Sequence, residues 1–410
     1  MSPHRRSLAL RAASLGLAAL CLVVVAGLPW LALTPAAEAQ AARPAGTLWV
    51  TNARLNDVTA FDVATGRVLA TIQVGARPIG VVAPPRTGKV YVANEDTGTV
   101  TAISRAARRV LASIPTGPRL HHLSHSANGR FVYVAEFGRN TVGVIDTISD
   151  RRVAELTAGP PETRSHMAWP SADAQTVYVA NSGSGTLAAV DARTGAPRWS
   201  LPVGDNPSEV IVSRDGRTAY VTIRNENKLK AVHVATQRVI GEAAVGTQPD
   251  TLVMTPDGRW LVIALRGSRG TISLVDVAGG LAVTPVPVGG MTTGHNALST
   301  DGRFSYVIVL GDTPGVAVVE MATRSVVATY VYPGGGEPHG IYFEPLQAGL
   351  PQTGGAPILD VPLLVAVSGA LALAGAYLVL RKRPTLGPRL MGPNELGNDA
   401  RRFLASAGVE

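Results

Sequence analysis

The sequence predicts an all-β fold, a seven-bladed β-propeller with four short strands in each blade. Three observations lead to this prediction: a repeated unit, a nearly fixed spacing between its copies, and a count of seven copies. The stretch 176–216 shows the unit most clearly, because TVYVAN, TLAAVD, PRWSLPV and SEVIVS alternate with short segments rich in Gly, Asn and Asp. The unit closes on Asp215 and Gly216, where a glycine tolerates the positive φ of a tight turn.

The second strand of this unit recurs along the chain. Neighbouring copies begin 41 to 45 residues apart, as LWVTN (48–52), VYVAN (90–94), VYVAE (132–136), VYVAN (177–181), AYVTI (219–223), WLVIA (260–264) and SYVIV (305–309). A period of this length with four strands per copy is typical of propeller blades. The ring would begin on a second strand, 47–52, and end on a first strand, 339–345. We therefore predict that these two strands pair, complete one blade together and remove an open sheet edge.

The repeat resembles the YVTN family of β-propellers, the YncE-like proteins, over about residues 47–345. Residues Trp49–Asn52 read WVTN, and two repeats close on the Asp-Gly turn of that family, at Asp257–Gly258 and Asp301–Gly302. The sequence lacks the Gly-His and Trp-Asp pair of a WD40 repeat. The resemblance implies the propeller fold at 46–345, but a fold so widely shared does not determine a function.

The overall charge does not indicate a nucleic-acid partner. The formal net charge is +8, yet residues 40–353 contain 28 Lys and Arg against 24 Asp and Glu, scattered along the chain. This excess is too small and too dispersed for a nucleic-acid surface, so we expect no such partner. The single cysteine, Cys21, lies in the N-terminal apolar segment. A mature protein without it would have no disulfide, and its stability would come from the core.

Residues 1–39 have the features of a signal peptide. A basic start precedes an apolar run at 15–33, and Ala37-Glu38-Ala39 gives the small-x-small pattern of a cleavage site. We predict cleavage after Ala39 and export of the propeller. The alternative is an uncleaved anchor, because the apolar run is nearly long enough to span a membrane.

A second targeting signal follows the propeller. A linker at 346–357 contains LPQTG, a transmembrane helix is predicted at 358–380, and a basic stop and cytoplasmic tail occupy 381–410. This order resembles the cell-wall sorting signal of Gram-positive surface proteins. The resemblance implies a sortase motif of Leu350, Pro351, Gln352, Thr353 and Gly354, cut after Thr353 and joined to peptidoglycan. The alternative is a plain membrane protein with a single span. Both place the propeller on the extracellular face of the membrane or in the cell wall.

Histidines and carboxylates recur at the starts of the first strands. Alignment of the repeats on the Asp-Gly turn gives two adjacent positions that hold seven such residues: His121, His122, His166, Glu209, Asp250, His295 and His339. These positions should surround the mouth of the central channel, on the face that also carries the turns after the second strands. Imidazoles and carboxylates that converge in a funnel are suited to Cu or Zn. The alternative is that histidine belongs to the repeat consensus, as in Pro338–Gly340, and holds no ligand.

The sequence favours a binding or scaffolding module over an enzyme. It contains no nucleophile elbow, P-loop, CxxC or HExxH motif, and we assign no catalytic residue. The expected partners are the membrane, peptidoglycan and an unidentified extracellular ligand or protein that binds the mouth of the channel. The propeller resemblance also implies two alternatives, a Cu- or Zn-dependent redox protein and a lactonase-like hydrolase.

Overall fold

The computed structural model describes residues 42–160 and 162–346. These residues form seven four-stranded sheets. The first strand of each sheet contacts the first strands of the two neighbouring sheets, so the sheets close into a ring. The predicted seven-bladed propeller with four-stranded blades is therefore confirmed.

The first strand of each blade lines the central channel, and the second strand pairs with it antiparallel. The first strands are β4 (Pro78–Val82), β8 (Leu120–His125), β12 (Ser165–Pro170), β16 (Pro207–Val212), β20 (Pro249–Met254), β24 (Thr292–Leu298) and β28 (Pro338–Pro345). The second strands are β1 (Gly46–Asn52), β5 (Lys89–Asn94), β9 (Phe131–Glu136), β13 (Thr176–Asn181), β17 (Thr218–Ile223), β21 (Trp260–Leu265) and β25 (Phe304–Leu310).

The third and fourth strands complete each blade toward the outside of the ring. The third strands are β2 (Asp57–Asp62), β6 (Thr99–Ser104), β10 (Thr141–Asp146), β14 (Thr186–Asp191), β18 (Lys228–His233), β22 (Thr271–Asp276) and β26 (Gly315–Glu320). The fourth strands are β3 (Val68–Gln73), β7 (Arg109–Pro115), β11 (Arg151–Thr157), β15 (Pro197–Pro202), β19 (Arg238–Ala244), β23 (Ala282–Pro287) and β27 (Ser325–Val331).

The core of the ring lies between the blades. Seven apolar clusters occur in the described residues, and each combines side chains from two adjacent sheets. The second strands are apolar on both faces because both faces pack against a neighbouring blade; in β5, the four residues 90–93 are completely buried. The fourth strands are largely exposed. Burial therefore decreases from the second strand to the fourth strand of each blade. This decrease explains why the apolar pattern of the second strand is the clearest repeat in the sequence.

Three of the seven second strands end in asparagine, and the one in β1 stabilises the turn that follows. Asn52 is completely buried, and its Oδ1 accepts hydrogen bonds from the backbone N–H groups of Arg54 and Leu55, both at 3.2 Å. It also accepts one from the N–H of Glu337, at 2.9 Å, in the loop before β28. A buried side-chain amide that satisfies several backbone groups at once fixes the conformation of both loops.

One blade is completed by strands from both ends of the propeller. Strand β28 pairs antiparallel with β1, with Gly46 opposite Pro345 and Trp49 opposite Tyr342. The Trp49 indole N–H donates to Glu344 Oε2 at 2.7 Å. The predicted closure is thus present: β28 pairs with the edge of β1 that would otherwise be open.

Several predictions fall outside the described residues. These are the signal peptide with its cleavage site at Ala39, the LPQTG motif at 350–354, the transmembrane helix at 358–380 and the tail at 381–410. Within 42–160 and 162–346, no helix has the length and apolarity needed to cross a membrane.

Candidate ligand site at the channel mouth

The strand pairing defines one face of the ring as the channel mouth. In each blade the start of the first strand lies opposite the end of the second, as in the pairs Pro78 with Asn94 and Pro207 with Ile223. The turns after the second strands therefore lie on the same face as the starts of the first strands. This is the face on which the sequence predicted the ligand residues.

The structure brings the five predicted histidines together in one layer. Their ring centroids lie 4.4 Å apart for His121 and His166, 4.5 Å for His122 and His295, and 4.5 Å for His295 and His339. The His122 and His166 rings are 4.9 Å apart. These residues come from four blades, so only the closed ring places them in contact.

Three of the histidines form a group that is tight enough for one metal ion. His121, His122 and His166 each offer a ring nitrogen, and the three nitrogens lie within 4.8 Å of one another. His166 Nδ1 is 2.7 Å from the carbonyl oxygen of Ser208, and His122 Nδ1 is 2.9 Å from Glu209 Oε2. Both contacts place the ring proton on Nδ1, which leaves Nε2 with a free electron pair. Metal-binding histidines are held in this way by a carboxylate or carbonyl on the other nitrogen.

Burial keeps most of this layer neutral. Burial lowers the pKa of His121, His166 and His295 well below the ordinary histidine value. The pKa of Glu209 is raised by burial, an effect that the nearby His122 partly opposes. Neutral imidazole is the form that binds a metal ion.

Asp250 forms the second part of the layer and is neutralised by arginines. Its side chain is completely buried and accepts hydrogen bonds from the guanidinium groups of Arg224 and Arg266. Burial alone would raise the pKa of Asp250, but Arg266 and Arg224 outweigh it and hold that pKa well below its usual range. His295 Nε2 lies 3.9 Å from the same carboxylate.

His339 is also engaged and does not offer a free nitrogen. Its Nδ1 is 3.1 Å from the carbonyl oxygen of Ile79, and its Nε2 is 3.1 Å from Nη2 of Arg266. Burial and the adjacent Arg266 lower its pKa to about 3. The seven predicted residues therefore separate into a histidine group around His121, with Glu209, and an ion-pair group around Asp250.

Sequence reasoning missed three side chains that complete the mouth: Phe137, Arg224 and Arg266. Each is the first residue after a second strand. The Phe137 ring lies 4.9 Å from the ring of His121, and Arg224 Nη2 lies 3.5 Å from His166 Nε2. The signal was available, because this repeat position faces the starts of the first strands and holds an arginine both in the blade of Asp250 and in the preceding blade.

The fold and this side-chain layer define the protein as a seven-bladed β-propeller with a histidine-rich channel mouth. The chain belongs to the YNCE-like β-propeller family, whose model matches residues 85–344. A search among curated proteins gave no match.

Solved structures show the same fold at low sequence identity. Hydrazine synthase from Kuenenia stuttgartiensis is 20% identical with a TM-score of 0.60, over 68% of this chain and 93% of that one. A protein of unknown function from Desulfotomaculum acetoxidans is 13% identical with a TM-score of 0.63, over 73% and 98%. A candidate 6-phosphogluconolactonase from Bacteroides fragilis is 16% identical with a TM-score of 0.60, over 73% and 98%. At such identities the likeness concerns the fold alone.

Proposed function

We propose that this protein is an exported, cell-surface-anchored binding protein whose channel mouth binds a Zn²⁺ or Cu²⁺ ion. The observation that carries the proposal is the group of His121, His122 and His166, whose three nitrogens lie within 4.8 Å of one another. Three imidazoles and an open position are a ligand set typical of zinc, and imidazole also suits copper.

The surroundings of the three histidines support a metal site over a purely structural cluster. Buried polar atoms normally find hydrogen-bond partners, yet His121 Nδ1 is buried and has none among the described residues. A metal ion would satisfy this nitrogen together with Nε2 of His122 and Nε2 of His166, where it would replace the long contact of 3.5 Å with Arg224 Nη2. The Glu209 carboxylate, which holds His122, would also partly balance the charge of the cation.

The proposal is tested by metal titration of the full chain purified without a histidine tag. We expect one Zn²⁺ per chain, and a His121→Ala, His166→Ala double variant should bind it at least about 100-fold more weakly, since two of three ligands are lost. His233→Ala is the matched control, because His233 is only partly buried at the end of β18 and its side chain contacts Thr236 instead of the channel. Less than a tenth of an equivalent in the parent chain, or equal binding by the double variant and the control, would refute the metal site.

The anchoring part of the proposal is supported by sequence order: LPQTG, an apolar segment and a basic triplet. By the resemblance to sorting signals, a sortase recognises the LPQTG motif, cuts the bond between Thr353 and Gly354 and transfers the Thr353 carbonyl to a cell-wall amine. Thr353→Ala keeps that carbonyl but changes the motif, so it should move the protein from the cell-wall fraction to the membrane fraction. Gln352→Ala is the control, because the sorting-signal pattern leaves that position free. Equal fractionation of all three forms would favour the single-span alternative.

The redox and lactonase alternatives stay predictions. No contact among the described residues favours either of them over binding. Metal content separates the two, because the redox alternative requires a bound Cu or Zn ion.

A further inference from the structure

The central channel contains a second site on the other side of the histidine layer. A cavity of about 630 Å³ is lined by all seven first strands. His122, Glu209 and His295 form its floor, and the turns that follow the first strands form its opposite rim, at Ser171, Ser213 and Thr300. The cavity therefore opens on the face opposite the mouth where the sequence predicted ligand binding. Its volume is in the range of pockets that hold one small molecule, about 300–1,000 Å³.

The cavity wall is mainly apolar. Large apolar side chains from four first strands line it: Leu123, Met167, Trp169, Ile211, Leu252 and Met254. Trp169 and Met254 are only partly buried, although their apolar surface would gain from complete removal from water, by about 25 cal/mol per Å². Concave apolar surface of this kind is where ligands bind.

The polar groups in the wall are mostly paired with one another. Thr251 Oγ1 donates to Asn296 Oδ1 at 3.0 Å, and His125 Nε2 lies 2.9 Å from the Tyr342 hydroxyl. On the floor, Glu209 is bonded to His122. Among the buried side-chain atoms of the described residues that line the cavity, Ser124 Oγ and His295 Nε2 lack a hydrogen-bond partner. A ligand with many polar groups would lose its water without replacement partners, which costs free energy for each group.

We propose that this cavity binds one uncharged, lipophilic small molecule with no more than one or two polar groups. The apolar wall would take up its hydrocarbon body. The paired polar groups of the wall disfavour a sugar-like ligand, and the lining side chain with an exposed positive charge, Arg214, lies at the rim and outside the buried part of the cavity. The site is separate from the proposed metal site because the His122 and Glu209 layer lies between the cavity and the mouth.

The test uses N-phenyl-1-naphthylamine, an uncharged aromatic probe that fluoresces in apolar surroundings. We expect saturable binding of one molecule per full chain. The sulfonated analogue 1-anilinonaphthalene-8-sulfonate, which has similar rings and a negative charge, should bind at least about tenfold more weakly, because the buried wall and floor offer no cation for its charge and Arg214, at the rim, is exposed to solvent.

A pair of matched substitutions locates the probe. Met254→Trp fills the cavity and should weaken binding at least tenfold. Met291→Trp makes the same change on the mouth face, where Met291 is 64% exposed, and should alter it less than twofold. Val212→Trp is a second cavity-filling variant if Met254→Trp fails to fold. Energy transfer from tryptophan to the probe should fall in Trp169→Phe but not in Trp260→Phe, since Trp260 lies outside the cavity wall.

Each outcome decides the proposal independently of the metal site. Absence of saturable binding, equal affinity for the sulfonated probe, or equal loss in the Met254 and Met291 variants would overturn it. If the His121→Ala, His166→Ala double variant lost probe binding although it stayed folded, that result would contradict the separation of the two sites.

Discussion

The two ends of the central channel are built by the same seven strands, yet they present different chemistry. At the mouth, the first positions of these strands bring together imidazoles and two carboxylates, and arginines from the turns after the second strands join them through hydrogen bonds and ion pairs. One to four residues further along, four of the same strands present Leu, Met, Ile and Trp around a cavity. The stability of a polar network depends on a hydrogen-bond or ionic partner for every member. The stability of an apolar wall depends on close packing and on the area that is buried.

The comparison shows that one repeat can carry two kinds of site at two levels of one strand. On β20, Asp250 is completely buried among arginines, while Met254 is half-buried at the cavity. Changes at the mouth should therefore alter stability through charge and pH, whereas changes at the cavity end should alter it through side-chain volume.

Deletion of residues 338–345 should have the largest effect, because β28 serves both ends. It supplies His339 at the mouth and Ile341 and Phe343 to the core and cavity, and its loss leaves β1 with an open edge. We expect loss of cooperative thermal unfolding and aggregation of the chain. A deletion of eight residues in the tail, 394–401, is the control; similar melting of the two deletion variants would contradict the closure by β28.

Acidification should destabilise the protein mainly through the mouth. An unfolded histidine titrates near ~6.5, whereas the pKa values of His121, His166, His295 and His339 are lowered in the folded chain, with that of His339 at about 3. The unfolded state thus binds more protons below about pH 6.5, and stability falls as pH decreases from there. At pH 5.5, each of these histidines should lower the free energy of unfolding by on the order of 1 kcal/mol.

Urea unfolding at pH 7.5, 6.5 and 5.5 measures this dependence. His125, at the cavity end, adds to it, because burial lowers its pKa as well. Glu209 opposes it, since burial raises the pKa of that carboxyl and so favours its protonated form in the folded chain. A free energy of unfolding that does not change between pH 7.5 and 5.5 would contradict the neutral state of the layer.

Loss of one buried charge should be more costly than loss of volume at the cavity end. Asp250→Ala leaves Arg224 and Arg266 without their shared carboxylate and should destabilise the chain by about 3 kcal/mol, the lower end for a broken buried pair, because both guanidinium groups are partly exposed. Met254→Ala should cost less than about 2 kcal/mol, since the side chain is only half-buried. Equal losses in urea unfolding would remove the distinction between the two ends.

Much of this account could be predicted from the sequence. The period and count of the second strands predicted the ring, and the offset of 47–52 and 339–345 predicted its closure. Alignment of the repeats was enough to predict that the residues from His121 to His339 converge, because equivalent positions in a closed ring lie at one level.

The division of the candidate site into a histidine group around His121 and an ion-pair group around Asp250 could not be predicted in the same way. It depends on side chains that reach across blades: His166 bonds to Ser208 of the next blade, and Arg266 reaches both Asp250 and His339. A repeat alignment gives the level of a residue in the ring but not the direction of its side chain. The cavity was missed for a related reason, since its wall is formed by seven strands that share no local motif.

The most direct test of the account is X-ray absorption at the zinc edge of the full chain loaded with one equivalent of Zn²⁺. We predict about three imidazole nitrogens at about 2.0–2.1 Å, and loss of this signature in the His121→Ala, His166→Ala variant. A shell made only of oxygen atoms, or an unchanged spectrum in the variant, would contradict a metal site at the channel mouth.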